Sequence, residues 1–369
     1  MAEEFSIEQY LYNGINNILR REAKAFFSNP RESVYIAKYA RAAKRASKKR
    51  GEAEKQGNSI PAFLIASITS ACNLHCAGCY ARAMDACNDS APSGQMTGEE
   101  WGKVFKESKD LGISFILLAG GEPLIRRDVM QEAAKVPQIL FPVFTNGTLL
   151  KGDTLDLFDR NRNLVPVISM EGSRKSTDTR RGEGMFSLLD KIMACLKDRG
   201  ILFGASITVT TKNLAEVLSD EFVDDLASKG CSVVIYVEYV PAEKGTEDLA
   251  PQDADRAVME ERLLALRQRM EGMVFLSFPG DEAATSGCLA AGRGFFHINS
   301  HGGAEPCPFS PVSDVNVRDT GVAGALKSGL FQALRDSGMQ EENHSGGCAL
   351  FGKDERILEL LQPRDQDGK

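Results

Sequence analysis

The chain has 369 residues, with 44 Lys and Arg against 51 Asp and Glu, a formal net charge of −7 and 43% hydrophobic residues, enough for one large domain or two moderate ones. The negative balance argues against nucleic acid as a partner, no run approaches the roughly 18 apolar residues of a membrane span, and Met1-Ala2-Glu3-Glu4 lacks the basic start of a signal peptide. Nine cysteines, an odd number, fit reduced thiols or metal ligands better than secreted disulfides, so a cytoplasmic location is expected.

Residues 5–57 read as helical. Tyr10, Leu11, Ile15, Ile18 and Leu19 make an apolar stripe, and Pro30 separates the first helix from a second. In the second, Lys38, Arg41, Lys44, Arg45, Lys48, Lys49 and Arg50 form a basic face, with Val34, Tyr35, Ile36 and Tyr39 on an apolar side. Such a helix is either solvated and packed on the rest of the chain, or a docking face for an acidic peptide, an anionic substrate or an anionic membrane surface. Residues 51–58 read as a polar linker.

From residue 61 strand-like and helix-like stretches alternate, as a parallel α/β sheet requires. Strands are expected at 61–69, 113–119, 139–144, 164–169, 202–209 and 232–241, with helices at 97–111, 127–135, 185–199 and 213–228. Thr97 followed by Glu100 is a capping box. The suggestive residues fall at the C-terminal ends of strands, where parallel barrels collect their active sites.

Cys72-Asn73-Leu74-His75-Cys76-Ala77-Gly78-Cys79-Tyr80 follows the first strand. A thiolate trio this tight can converge on one metal or cluster and leaves a four-coordinate site one ligand short. The spacing alone also fits a zinc site completed by His75, or a redox pair of Cys76 and Cys79. The second strand runs into Gly120-Gly121-Glu122-Pro123, where paired glycines let a ligand approach the backbone and Glu122 adds a carboxylate suited to an ammonium group. The third ends in Thr145-Asn146-Gly147 and the fourth in Ser169-Met170-Glu171-Gly172.

Together these motifs resemble those of the radical S-adenosylmethionine (radical SAM) family, with Cys-x3-Cys-x2-Cys after the first strand of a partial barrel and Gly-Gly-Glu-Pro after the second. The resemblance covers residues 59–241 and implies a partial (β/α)6 TIM-like barrel. It implies that Cys72, Cys76 and Cys79 hold a [4Fe-4S] cluster whose open iron is chelated by SAM. It further places Gly120, Gly121 and Glu122 along the methionine amino group, Ser169 and Glu171 at the ribose and methionine, Arg181 at the SAM carboxylate, and Val240 against adenine. Thr145 and Asn146 would line the cavity; a plain turn at 145–147 and a surface ion pair at Arg181 are the alternatives. Gly78 stands where most members have an aromatic residue, a place Tyr80 would partly fill.

Residues 1–58 then form an N-terminal helical extension and 242–369 a C-terminal module. The latter opens with a charged helix at 252–271, buried through Leu263, Leu264, Leu266 and Met270, and has a hairpin at 295–303. Cys288, Cys307 and Cys348 lie in Gly- and Pro-rich surroundings that free the backbone to wrap a cluster. The module resembles the SPASM and Twitch extensions, which hold auxiliary [4Fe-4S] clusters. With three cysteines it matches a one-cluster form whose fourth iron takes a non-Cys ligand, for which His301, His344 and the substrate are candidates. Three unrelated thiols or a zinc site are the plainer alternatives. Cys195 and Cys231 read as structural and Cys87 as a loop thiol.

What the resemblance implies is an enzyme that takes one electron from a flavodoxin- or ferredoxin-type donor, cleaves SAM to a 5′-deoxyadenosyl radical and abstracts hydrogen from a substrate. No acid–base side chain is singled out. A peptide or protein substrate is favoured by the basic helix. Small-molecule or cofactor biosynthesis and a non-catalytic metal-binding protein are the alternatives.

Overall fold

Seven short apolar runs become consecutive parallel strands: β1 Phe63–Ser67, β2 Phe115–Ala119, β3 Phe141–Thr145, β4 Leu164–Met170, β5 Gly204–Val209, β6 Val233–Glu238 and β7 Val274–Phe278. They lie side by side in chain order in a computed structural model that describes residues 30–90, 92–285, 287–340 and 348–361. Parallel neighbours need crossovers, and the helices Gly98–Leu111, Arg127–Ala134, Asp153–Arg160, Met185–Asp198, Asp220–Ser228 and Asp253–Arg269 supply them. The six predicted strands are all present and the sheet is the curled half-barrel expected of a partial TIM barrel. The capping box forms as read, with the Glu100 carboxylate accepting from Thr97 N at 2.7 Å. The single helix expected over 213–228 is two, because Ser219 caps a fresh start by accepting from Phe222 N at 3.2 Å.

The sheet does not stop where the sequence suggested a domain boundary, after residue 241. β7 adds a seventh parallel strand to one edge, while β8 His297–Ile298 pairs with β1 on the other and turns back into β9 Ala304–Glu305. β9 completes the predicted hairpin, and His297 rivets the edge, its ring nitrogens lying 2.7 Å from Ser67 Oγ and 2.6 Å from Glu305 Oε2. A two-residue strand such as β8 is too short for periodicity to register.

Alternate residues of each strand face opposite sides. Leu64, Ile116, Leu118, Val143, Ile168, Ile207, Tyr236 and Phe275 are buried in the main core, while Val167, Ile235, Val274 and Leu276 form a second cluster that Ile36 of the helix Pro30–Glu54 joins. That helix is held by Arg162, whose guanidinium lies 3.0 Å from the buried Glu32 carboxylate, and by Lys49 and Arg50, which donate to the Asp110 and Gly112 carbonyls. It is thus packed on the barrel with Lys38, Arg41, Lys44, Arg45 and Lys48 exposed.

Several local expectations need correction. Val34, read as apolar-facing, is 45% exposed, and Leu264 turns to water at 52% while Met259, Leu263 and Leu266 face inward, since a helical turn places residues three and four apart on one side. The basic helix runs on through Gly51 to Glu54, so the linker begins later than expected. The stripe Tyr10, Leu11, Ile15, Ile18 and Leu19, and His344, lie outside the described residues. Among the described residues no helix is long and apolar enough to cross a membrane.

Candidate active site

The C-terminal ends of β1 to β7 open into a cavity of about 1700 Å³, counted with its solvent-facing mouth. Its enclosed part, about 290 Å³, matches the lower end of the roughly 300–1,000 Å³ usual for a site that takes one drug-sized ligand. Ile65, Leu117, Phe144, Val237 and Phe278 give it apolar walls. Cys72, Cys76 and Cys79 line one part of it, and Cys288, Cys307 and Cys348 line the same cavity, so residues separated by over two hundred positions in sequence share one space.

The first trio sits on a loop pinned by backbone. Cys72 N donates to Asn88 O at 2.8 Å, and the Arg82 guanidinium donates to Leu74 O at 2.9 Å. His75 points outward, 2.9 Å from Asp89 with both side chains mostly exposed, so it is not turned toward the thiols as the zinc alternative required. Cys87 is buried against Cys72, and a hydrogen bond from its thiol lowers Cys72 to about 6 despite opposing burial.

The glycine pair has a physical reason of its own here. Gly121 N donates to Thr69 O and Glu122 N to Ala71 O, both at 2.8 Å. A Cβ at Gly120 would stand 2.2 Å from Thr69 O, and one at Gly121 would stand 2.1 Å from Ala71 O. Only glycine lets the end of β2 lie flat against the cysteine loop. Glu122 is buried and spends its carboxylate inside the protein: Oε1 accepts from Thr145 Oγ1 at 2.8 Å and from Leu124 N, and Oε2 accepts from Asn146 N at 2.8 Å. Burial, outweighing these bonds, pushes Glu122 up to about 7. Asn146 in turn donates to Asn73 Oδ1 at 3.0 Å, tying the end of β3 to the cysteine loop.

Glu171, at the end of β4, is clamped by two guanidiniums. Arg181 donates to both carboxylate oxygens at 2.7 Å, and Arg180 donates to Oε1 at 2.7 Å and to Thr208 Oγ1 at 2.6 Å. Burial alone would raise the Glu171 carboxyl, but the two cations outweigh it and hold it below the ordinary carboxylate range. Arg181 also brings Nη1 to 3.9 Å from Cys76 Sγ, and Arg180 donates to Ala77 O at 3.0 Å. The pair therefore joins β4 and β5 to the cysteine loop. Arg180 escaped sequence reasoning because two adjacent arginines look alike until a fold aims them. Ser169 and Val240 line the cavity, as does Asn146, whereas Thr145, expected beside Asn146, is turned to Glu122 and is not in the lining.

Gly78, at φ +64, has Tyr239 where its side chain would be: a Cβ would stand 2.6 Å from the Tyr239 hydroxyl. The aromatic next to the loop thus comes from the end of β6. Tyr80 instead packs on Phe309, with ring centroids 4.7 Å apart.

In the second trio Cys288 N donates to Gln340 O at 2.9 Å, and the Cys307 and Cys348 thiols share a hydrogen bond that raises Cys307 and lowers Cys348 to about 7. His301 is exposed, with its ring beside Ser300, and does not line the cavity. The Glu282 carboxylate does line it; burial, then the Cys348 charge, push it up to about 8. Among the described residues no three His, Cys, Asp or Glu side chains enclose the position of a single metal ion. The two trios still offer soft thiol donors along one apolar-walled cavity, and the glycine contacts and Arg181 shape the first of them, which fits an iron–sulfur group reached by a second ligand.

Comparison with known proteins agrees. Residues 66–219 match the family model described as the Radical SAM superfamily. The AdoMet-dependent heme synthase of Methanosarcina barkeri is 27% identical over 79% of this chain and 88% of its own length. The mycofactocin maturase MftC of Mycobacterium tuberculosis is 23% identical over 81% of this chain and 77% of its own. In fold the chain is similar to Streptococcus suis SuiB bound to its precursor peptide SuiA, with TM-score 0.63 and 18% identity over 82% of this chain and 72% of that one. The AdoMet-bound anSMEcpe structure gives TM-score 0.58 and 16% identity over 81% and 95%.

Proposed function

From the premise that residues 66–219 are a radical SAM domain and the chain a radical SAM enzyme, we propose that it modifies a peptide or protein substrate held between the two thiol trios. The observation that carries this reading is the single cavity lined by Cys72, Cys76 and Cys79 and by Cys288, Cys307 and Cys348. When bound, SAM at the first cluster supplies a 5′-deoxyadenosyl radical. Arg181, Glu171 and Arg180 form a rigid charged wall for the polar end of the cofactor, Ser169 and Thr208 add hydroxyls, and Val240 and Tyr239 add apolar and aromatic surface. Apolar walls at Phe144, Val237 and Phe278 exclude water from a reactive guest. A flavodoxin- or ferredoxin-type protein is the proposed electron donor, and the second trio holds an auxiliary cluster that takes an electron back from the product side. The exposed Lys38, Arg41, Lys44, Arg45 and Lys48 offer an acidic peptide a docking face.

A small-molecule reading is favoured by a different observation, the match to a heme synthase over most of both chains. The test begins with anaerobic reconstitution, metal analysis and 5′-deoxyadenosine release with SAM and dithionite. Zinc in place of iron, or no 5′-deoxyadenosine with any substrate or none, would sink the enzymatic reading. Cys76→Ala should abolish release, whereas Cys307→Ala should leave the first cluster in place. Deuterium transfer into 5′-deoxyadenosine from a deuterated peptide fraction of host cells supports peptide modification, and transfer from the small-molecule fraction alone overturns it.

A further inference from the structure

We propose that Glu282 is the fourth protein ligand of the auxiliary cluster, so that the chain, and not the substrate, closes the site formed by Cys288, Cys307 and Cys348. The inference rests on the reading that this trio holds an iron–sulfur cluster and adds the ligand that completes it.

Glu282 follows β7 directly, in the turn Gly280–Thr285, and its backbone is fixed by donation from its own N to Pro279 O at 2.8 Å and from Gly287 N to its carbonyl at 3.3 Å. The residue is 4% exposed and lines the cavity with all three thiols. Its carboxylate accepts from the Cys288 thiol and from Leu289 N, and it lies within the electrostatic reach of Cys348, which is itself bonded to Cys307. Four donors, three soft and one hard, are therefore contiguous.

The other buried acids nearby are accounted for differently. Glu171 faces Arg180 and Arg181, Glu238 faces Arg256 at 2.8 Å, and Asp281 takes Arg267 in a two-pronged bond at 2.7 and 2.8 Å. Asp281 and Glu282 are adjacent, yet one turns to a guanidinium and the other to thiols. Iron takes carboxylate oxygen as well as thiolate, and Glu282 presents such an oxygen beside Cys288. Of the protein ligands expected from the sequence, His301 is exposed and outside the cavity, and His344 lies outside the described residues.

A closed cluster has no vertex for substrate, which confines it to electron transfer and gives its potential to the ligand set and burial. The experiment uses the full chain with Cys72, Cys76 and Cys79 changed to Ala, reconstituted anaerobically with iron and sulfide. Iron and sulfide are counted, and the reduced cluster is recorded by electron paramagnetic resonance with and without cyanide. With Glu282 present, about four irons per chain and a cyanide-insensitive spectrum are expected. Glu282→Ala should lose about a quarter of the iron or become cyanide-sensitive. Glu282→Cys should restore both properties, which also shows that the Ala variant is not merely misfolded. A Glu282→Ala protein with unchanged iron and a cyanide-insensitive spectrum overturns the assignment, as does a parent that is already cyanide-sensitive. A parent that takes up no iron overturns the cluster reading itself and the ligand with it.

Discussion

The Tyr80 ring, one residue after Cys79, packs on Phe309, two residues after Cys307, with centroids 4.7 Å apart and planes inclined at 51°. One aromatic contact thus couples the loops that carry the two thiol trios.

Aromatic pairs of this kind contribute roughly 0.5–1.5 kcal/mol beyond their buried area. A double-mutant cycle of Tyr80→Ala and Phe309→Ala, read by chemical denaturation, should return a coupling of about 1 kcal/mol. Strict additivity would show that the rings are only neighbours.

Glu171 should stabilise the fold at neutral pH through its two guanidiniums. Its folded pKa lies below the ordinary carboxylate value, so this contribution is fully present above about pH 4.3 and is lost as pH falls through the folded value. Glu171→Gln leaves two guanidiniums without an anion and should cost about 3 kcal/mol at pH 7. Denaturation midpoints should show that the gap between wild type and variant narrows below about pH 4. A gap independent of pH would remove the charge from the explanation.

Glu122 has the opposite sign. Burial pushes its carboxyl up to about 7, so the folded state holds a proton that the unfolded chain has released. Stability of the cluster-free chain should fall as pH rises from about 4.3 to 7, by up to about 3 kcal/mol. Glu122→Gln should flatten that slope. An equally steep decline in the variant would assign it to another group.

Gly121→Ala would place a methyl group 2.1 Å from Ala71 O and 2.9 Å from Cys72 N, atoms that cannot move without moving the cysteine loop. Iron uptake at the first trio should be lost or greatly reduced. Gly57→Ala meets nothing within 4 Å and has only its φ of +79° against it, about 1–2 kcal/mol. Equal iron uptake by both variants would show that the close approach does not position the trio.

The six predicted strands and the residues at their ends were legible in the sequence because strand periodicity and glycine-rich strand ends are local signals. Cys72, Cys76, Cys79, Ser169 and Val240 were recognisable, and they do reach one cavity. Roles set by distant partners were not legible. Arg181, which the resemblance assigns to a cofactor carboxylate, also holds Glu171, ten residues away in sequence. Glu122, expected along a ligand's amino group, holds Thr145 and Asn146.

The sequence by itself determined where six of the strands lie, the capping box at Thr97 and the Cys72, Cys76 and Cys79 trio, because each depends on residues within a few positions of one another. The tertiary structure decided that both trios open on one space, that β7 and β8 carry the sheet past residue 241, and that Tyr239 fills the room beside Gly78. These facts depend on how the half-barrel curls and which strand ends it brings together. No local pattern encodes them, since contacts between residues far apart in the chain are selected by packing of the whole sheet.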